Sequence, residues 1–241
     1  MKLNCDLGES FGSWKMGLDE QVMPHIDMAN IACGFHAGDP STMMKTLMLA
    51  KQHGLAVGAH PSYPDLVGFG RRSMQCSEQE IEDFVLYQIA AIDGMAQSIE
   101  LSIDYVKPHG ALYNDMMRQE STRKAIYKAL AKYHRPLKLM VLATADSEYL
   151  TNEASSYGIS LLFEAFADRR YTDEGLLTPR SQSGAVLDKV AMLAQVEQLV
   201  KDGSVTSDSG KTIHIQADTV CVHGDNEQAI AIVKEIKALC G

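Results

Sequence analysis

The sequence predicts an α/β fold in which a parallel β/α barrel of about seven strands forms one domain over residues 1–241. Short apolar segments alternate with helical patterns along the whole chain, which is typical of a parallel sheet flanked by helices. The apolar segments lack strict alternation, as expected when both faces of a strand are buried. Polar residues follow nearly every strand, which favours a barrel over a doubly wound sheet with a single switch point.

The elements follow one another in a regular order. Asp39 and Pro40 fit the N-cap and first position of one helix, and Ser77 with Glu80 forms a capping-box pattern at the start of the next. We expect a linker over residues 20–26 and a small β-hairpin over 203–215 near the C-terminus. The predicted strands are 2–6, 28–35, 55–59, 103–106, 137–142, 159–163 and 219–222, and the predicted helices 42–53, 77–99, 122–133, 147–157, 187–200 and 227–239.

Composition excludes several classes of protein. The net charge is −9, and no basic cluster exceeds two residues, so we expect no nucleic-acid partner. The N-terminus lacks the apolar core of a signal peptide, and no apolar run is long enough to span a bilayer, so we expect a cytoplasmic protein without a membrane partner. Five cysteines argue against a disulfide framework. Cys5, Cys33 and Cys221 are interpreted as small buried residues, with a thiolate metal site as the alternative.

Four of the eight histidines directly follow predicted strands, each beside a glycine or proline: His36, His60, His109 and His223. Because the carboxyl ends of barrel strands meet at one face, these imidazoles are expected to converge. Acidic residues occur in the same regions, namely Asp6, Glu9, Asp39, Asp65, Glu164, Asp168 and Asp225. Asp39 and Asp225 have an alternative role as helix caps, whereas Asp6 and Glu164 end strands.

Two kinds of chemistry suit such a cluster. Neutral imidazoles and a carboxylate can hold a divalent metal with an open position for water, for which Asp6, His36 and His60 are the expected ligands. Alternatively, the same groups can perform general acid–base chemistry near neutral pH. The long spacings form no local metal motif, so both interpretations stay open.

Three cations near the strand ends are candidate anion clamps or ordinary surface charges: Lys107, Arg71 and Arg72. Tyr113 could line a pocket or pack in the core. The chain contains neither of the two standard glycine-rich phosphate loops. A nucleotide in the reaction would therefore not be bound by such a loop.

Long motifs resemble the LamB/YcsF family over essentially the whole chain. They are N-C-D-L-G-E at 4–9, A-N-I-A-C-G-F-H-A-G-D-P at 29–40, G-A-H-P-S-Y-P-D at 58–65, G-F-G-R-R at 68–72, V-K-P-H-G-A-L-Y-N at 106–114, F-A-D-R-R-Y at 166–171 and C-V-H-G-D at 221–225. The resemblance implies a seven-stranded barrel of the glycoside hydrolase/deacetylase type. It also implies ATP-dependent opening of 5-oxo-L-proline to L-glutamate, with ATP as co-substrate, together with 5-oxoprolinase subunits B and C.

On this interpretation the strand-end residues receive roles. Asp6, His36, His60 and His109 are the candidate catalytic residues. The candidate substrate-binding residues are Asn30, Arg71, Arg72, Lys107, Tyr113, Glu164, His223 and Asp225. Two alternatives are a metal-dependent amide or sugar hydrolase or deacetylase that acts alone, and a binding protein that presents substrate to its partners.

Overall fold

Seven parallel strands close into a barrel in the computed structural model, which describes residues 1–223 and 227–241. The barrel strands are Lys2–Leu7 (β1), Met28–Ala32 (β2), Ala56–His60 (β3), Tyr105–Val106 (β4), Lys138–Leu142 (β5), Leu161–Phe166 (β6) and Thr219–Val222 (β9). They follow one another around the barrel in chain order, and β9 pairs back with β1. The predicted barrel is therefore confirmed.

Helices surround the barrel and mostly match the predicted ones. Asp39 caps the second helix by accepting hydrogen bonds from the backbone of Ser41 and Thr42, which confirms its role as a cap. Ser77 and Glu80 form the expected capping box. The helices are Asp19–Val22 (α1), Pro40–His53 (α2), Glu78–Gln97 (α3), Gly110–Arg118 (α4), Glu120–Lys132 (α5), Ser147–Ser155 (α6), Lys189–Asp202 (α7) and Glu227–Cys240 (α8).

Three local predictions were wrong. The expected linker over 20–26 is helical, because α1 is followed by a 3-10 turn at Met23–His25 that accommodates Pro24 at its second position. No helix was predicted between residues 106 and 122, yet α4 starts at Gly110 and packs against α5. Strand β2 ends at Ala32 and not at residue 35, since Gly34 turns the chain with a φ of 94°.

The lower interior of the barrel is an apolar layer. Met28, Tyr105 and Met140 pack together there. The Tyr105 ring lies directly over Gly58 of the neighbouring strand β3, where an added Cβ would lie 2.2 Å from a ring carbon. Glycine at this position therefore makes room for the ring. This layer closes the barrel from below and leaves its upper part for polar side chains.

A second sheet lies outside the barrel. Strands Ser204–Thr206 (β7) and Thr212–His214 (β8) form an antiparallel pair, so the predicted hairpin is confirmed. The main core lies between the outward faces of the barrel strands and the helices. Among the described residues, no helix has both the length and the hydropathy needed to cross a bilayer.

Candidate active site

A buried lysine, Lys107, lies inside the barrel at its upper end, where the strands have their carboxyl termini. The Lys107 Nζ lies 2.6 Å from Glu164 Oε2 and 3.0 Å from Asp6 Oδ1. It also contacts Asn4 Oδ1 at 3.2 Å and Cys221 Sγ at 3.3 Å. Burial disfavours the ammonium, but the two carboxylates offset this and hold the pKa of Lys107 well above its usual value. Lys107 is therefore charged and neutralises one of the two acids.

Hydrogen bonds fix the carboxylate of Asp6. Asn30 Nδ2 donates to Asp6 Oδ1 at 2.8 Å, and the Tyr105 hydroxyl donates to Asn30 Oδ1 at 2.6 Å. The second oxygen, Oδ2, lies 3.3 Å from His60 Nε2. Although burial opposes the charge, His60 and Lys107 hold the pKa of Asp6 well below its usual value. Asp6 is thus an oriented, ionised acid that faces an imidazole.

Three histidines converge above this acid. The rings of His36 and His109 are stacked, with centroids 3.7 Å apart and planes within 3°. The His60 ring stands perpendicular to both, at 5.4 Å and 4.8 Å. Burial lowers the pKa of His36 and of His109 well below the usual value, and the neighbouring imidazoles add to the effect. The structure therefore brings together three of the four strand-end histidines in a buried group.

Two backbone carbonyls orient the imidazoles. His60 Nδ1 lies 2.6 Å from the Lys107 carbonyl, and His109 Nε2 lies 2.9 Å from the Phe69 carbonyl. A carbonyl only accepts, so both nitrogens carry hydrogen. The remaining nitrogens, His60 Nε2 and His109 Nδ1, are 2.9 Å apart. Two lone pairs repel at that distance, so a proton, or a metal ion in its place, is required between them.

Glu9 completes this group. Its Oε1 lies 3.3 Å from His36 Nε2 and 3.7 Å from His109 Nδ1. Burial raises the pKa of Glu9. Ligand atoms of Glu9, His36, His60 and His109 lie within 4.8 Å of one another, a set of nitrogen and oxygen donors that suits a divalent metal. The expected ligand set differed, because it contained Asp6 and lacked Glu9 and His109.

A loop covers the histidines. The Phe69 ring packs edge-on against His36 and His109, at 5.4 Å and 5.2 Å. Gly70 lies so close that an added Cβ would be 2.8 Å from a ring carbon of His109. The side chains of Asp6 and His223 retain 13% and 22% exposure. Solvent therefore reaches the cluster from the side of Asp6 and His223.

The fourth strand-end histidine forms an ion pair of its own. His223 Nδ1 lies 2.9 Å from Asp168 Oδ2. Burial disfavours the imidazolium, but Asp168 more than compensates and raises the pKa of His223 to about 9. His223 is therefore positively charged at neutral pH. Atoms of His223, Asp6 and Cys221 lie within 4.8 Å of one another, so this ion pair borders the main cluster.

The other candidate residues are distributed around this centre. The Arg71 guanidinium lies 4.9 Å from the centre of the Phe69 ring, and its charge contributes to the lowered pKa of His36. Arg72 instead points outward and pairs with Asp65. Tyr113 is buried with its ring near Phe166, and its pKa is raised by burial and by the charge of Glu164. Asp225 lies outside the described residues.

Some residues of the site were not in the predicted set. Asn4 is two residues before Asp6 and therefore points to the same inner face of β1, a signal that the period of two offered. Cys221 contacts Lys107 as a buried thiol. Glu9 and Asp168 were noted only as nearby acids, and nothing in the local sequence distinguishes Glu9 from an ordinary loop acid.

Comparisons with known proteins agree with one another. The "LamB/YcsF family" model matches residues 1–240. The A subunit of 5-oxoprolinase from Vibrio parahaemolyticus is 53% identical over 238 residues, covering 98% of this chain and 94% of the relative. The corresponding protein of Chromohalobacter salexigens, which has the same name, is 51% identical over 236 residues, covering 98% and 94%.

A solved structure gives the same answer for the fold. The crystal structure of the "Lactam Utilization Protein from Thermus thermophilus" superposes with a TM-score of 0.89 at 38% identity, covering 99% of this chain and 95% of that one. Family, relatives and fold thus extend over nearly all of the chain. The chain belongs to the LamB/YcsF family.

Proposed function

We propose that this chain is the A component of an ATP-dependent 5-oxoprolinase, which opens the lactam ring of 5-oxo-L-proline to give L-glutamate. The names of its relatives and of its structural neighbour support an enzyme that acts on a cyclic amide. The observation on which the proposal depends most is the buried group of three histidines beside an ionised Asp6, at the open end of a barrel.

The reaction needs activation because an amide carbonyl is a weak electrophile. We propose that ATP transfers its terminal phosphoryl group to the lactam oxygen, with release of ADP. Water then adds to the activated carbon, the C–N bond breaks as the ring nitrogen takes up a proton, and the acyl phosphate is hydrolysed by a second water. The overall change is 5-oxoproline, ATP and two waters to glutamate, ADP and phosphate.

This chain would supply the proton transfers. Asp6 is ionised and fixed by Asn30 and Lys107, so it suits the role of a base or an orienting acid for the imidazoles. Where no metal ion is bound, the proton shared by His60 Nε2 and His109 Nδ1 is placed for transfer to a reacting group. In the same proposal His36 is a further catalytic residue, and Glu164 and Tyr113 bind the substrate.

A divalent metal fits the same place. Glu9, His36, His60 and His109 would hold it, with the Lys107 and Phe69 carbonyls orienting His60 and His109 as is usual around metal-bound imidazoles. When bound, such an ion lowers the pKa of a coordinated water. Metal content after purification, measured with and without a chelator, tests this part.

Partners and location are part of the proposal. We propose that the chain acts in the cytoplasm together with 5-oxoprolinase subunits B and C. Binding of ATP by a partner subunit would explain why this chain has no standard phosphate loop. The division of work is testable by mixing the three proteins and measuring ADP and glutamate with each one omitted.

The decisive experiment measures glutamate release by the assembled enzyme. Replacing Asp6 with Asn or His109 with Gln is expected to abolish glutamate formation with little change in fold. His214→Gln is a matched control, because His214 is exposed on the β7–β8 hairpin. Full activity of the Asp6 or His109 variant would overturn the site assignment.

The chief alternative is a metal-dependent amide or sugar hydrolase or deacetylase that needs no partner. The nitrogen and oxygen donors around His60 and His109, which suit a divalent metal, are the observation that supports this alternative. An activity of the isolated chain that requires metal but not ATP would support this alternative over the 5-oxoprolinase proposal. Unchanged glutamate formation by the assembled enzyme when Asp6 or His109 of this chain is replaced would instead support a protein that only presents substrate to its partners.

A further inference from the structure

A buried arginine beside the site lacks a full set of partners. Arg169 follows β6 and is 6% exposed. Its Nη2 donates to the Thr178 carbonyl at 2.6 Å, whereas its Nε is buried and has no hydrogen-bond partner among the described residues. An unpaired donor on a buried guanidinium is costly. Its presence therefore indicates a place where a ligand supplies the missing acceptor.

The backbone around this arginine is held firmly. Gln195 Nε2 contacts the carbonyls of Phe166, Ala167 and Arg169 at 2.8, 3.2 and 2.9 Å. The Thr178 amide donates to the Arg170 carbonyl at 2.9 Å, which ties the two arms of the loop together. The loop is therefore fixed before any ligand binds, which is the arrangement expected of a binding site.

Among the residues that the structure describes, positive charge exceeds negative charge around Arg169. Arg180, two residues after Thr178, is exposed, and its positive charge acts on Arg169, Asp168 and His223. On His223 it partly opposes the rise in pKa that Asp168 causes. Asp168 is the one carboxylate paired with this group among the described residues, through His223. Asp6, the next acid, is already neutralised by Lys107. Within residues 1–223 and 227–241, three cations thus lie near a single available anion.

This group also borders the open side of the histidine cluster. Atoms of His223 and Asp6 lie within 4.8 Å of each other. A small molecule whose anionic group is held at the arginines would therefore extend its remaining atoms over Asp6. Arginine suits such a role because its planar donors match the geometry of an oxyanion.

We propose that Arg169, Arg180 and His223 form a subsite for a small oxyanion. In the proposed reaction, on which this identification rests, the oxyanion is the carboxylate of 5-oxoproline, and the subsite places the lactam ring over Asp6. Transferred phosphate has related chemistry and is the other source of an oxyanion. Arg169 and Arg180 are binding residues on this view, and neither takes part in bond making.

The test is calorimetric titration of the full-length chain at pH 7 with three probes: 5-oxoproline, 2-pyrrolidone and inorganic phosphate. 2-Pyrrolidone is the same lactam without the carboxylate. Arg180→Gln is expected to weaken 5-oxoproline binding by about 10- to 100-fold, the usual effect of losing a charged hydrogen bond, and to leave 2-pyrrolidone binding unchanged. Arg169→Lys, which keeps the charge but loses the planar donors, is expected to weaken 5-oxoproline binding as well.

Arg170→Gln is the matched control. Arg170 lies in the same loop, but its Nε donates to the Gly184 carbonyl and its side chain is partly exposed. The control is expected to bind all three probes like the parent protein. Equal weakening of 5-oxoproline and 2-pyrrolidone in the Arg180 variant, or unchanged binding of both oxyanions, overturns the subsite.

The outcomes separate this inference from the proposed function. Arg180-dependent binding of phosphate, without binding of 5-oxoproline by the parent protein, supports the subsite and contradicts the proposed substrate. Conversely, an assembled enzyme that cleaves 5-oxoproline with an unchanged KM in the Arg180 variant supports the function and overturns the subsite.

Discussion

Replacing Lys107 with methionine is expected to destabilise the fold strongly. Lys107 lies between Asp6 and Glu164, and Glu164 is fully buried. Without the ammonium, two carboxylates face each other in a water-poor interior. Removing one partner of a buried ion pair costs about 3–5 kcal/mol because an uncompensated charge remains. The free energy of unfolding, measured by urea titration at pH 7 with circular dichroism, should fall by that amount.

A second substitution tests the reason for the loss. Glu164→Gln in the Lys107→Met background removes the charge that was left unpaired, so the double variant is expected to be about 1–3 kcal/mol more stable than the single one. Lys45→Met is the control, because the Lys45–Glu20 pair is about two-thirds exposed on both sides. Such a pair is worth only about 0–1 kcal/mol. A loss below about 1 kcal/mol in the Lys107 variant, or a further loss in the double variant, refutes the reasoning.

Three other predictions concern single positions. Gly58→Ala should lower the free energy of unfolding by about 1–3 kcal/mol, and with it the melting temperature, because the added Cβ meets the Tyr105 ring. The loss should be smaller in a Tyr105→Leu background, and an equal loss there would contradict the contact. Gly70→Ala should reduce activity strongly and stability only slightly, because an added Cβ at a φ of 63° pushes on the His109 ring. Nuclear magnetic resonance of the histidine rings checks this, and unshifted His109 signals would count against it. Burial raises the pKa of Asp19 to about 6, so the native state binds this proton more tightly than the unfolded state does. The free energy of unfolding of the parent protein should therefore fall by up to about 3 kcal/mol as pH rises from 4 to 6. In urea titrations Asp19→Asn should remove this pH dependence, and an unchanged dependence would exclude Asp19 as its source.

Much of the architecture follows from local patterns. The alternation of apolar strands and helices predicted the barrel, and the caps at Asp39 and Ser77 fixed two helix starts. These signals are local, so the sequence carries them directly. Helix α4 was missed because Gly110, with a φ of 55°, begins it shortly after a proline, and a local pattern cannot register its packing against α5.

The candidate site, like the fold, was predictable from the sequence only in part. The sequence placed His36, His60, His109 and Asp6 at strand ends, and barrel geometry made their convergence predictable. It did not show that Arg72 pairs with Asp65 outside the cluster, since that pairing depends on how the loop turns at Phe69 and Gly70. Nor did it indicate that Arg180 lies near His223, because the two are 43 positions apart in the chain.

The sequence by itself determined the class of fold and the face of the barrel that carries the chemistry, because side-chain period and strand order are properties of the chain. The tertiary structure decided which atoms meet. The Lys107 and Phe69 carbonyls select the nitrogens of His60 and His109 that face each other, and Lys107 selects which acids are neutralised. Those choices depend on distances of a few ångströms between residues remote in sequence, and only folding sets such distances.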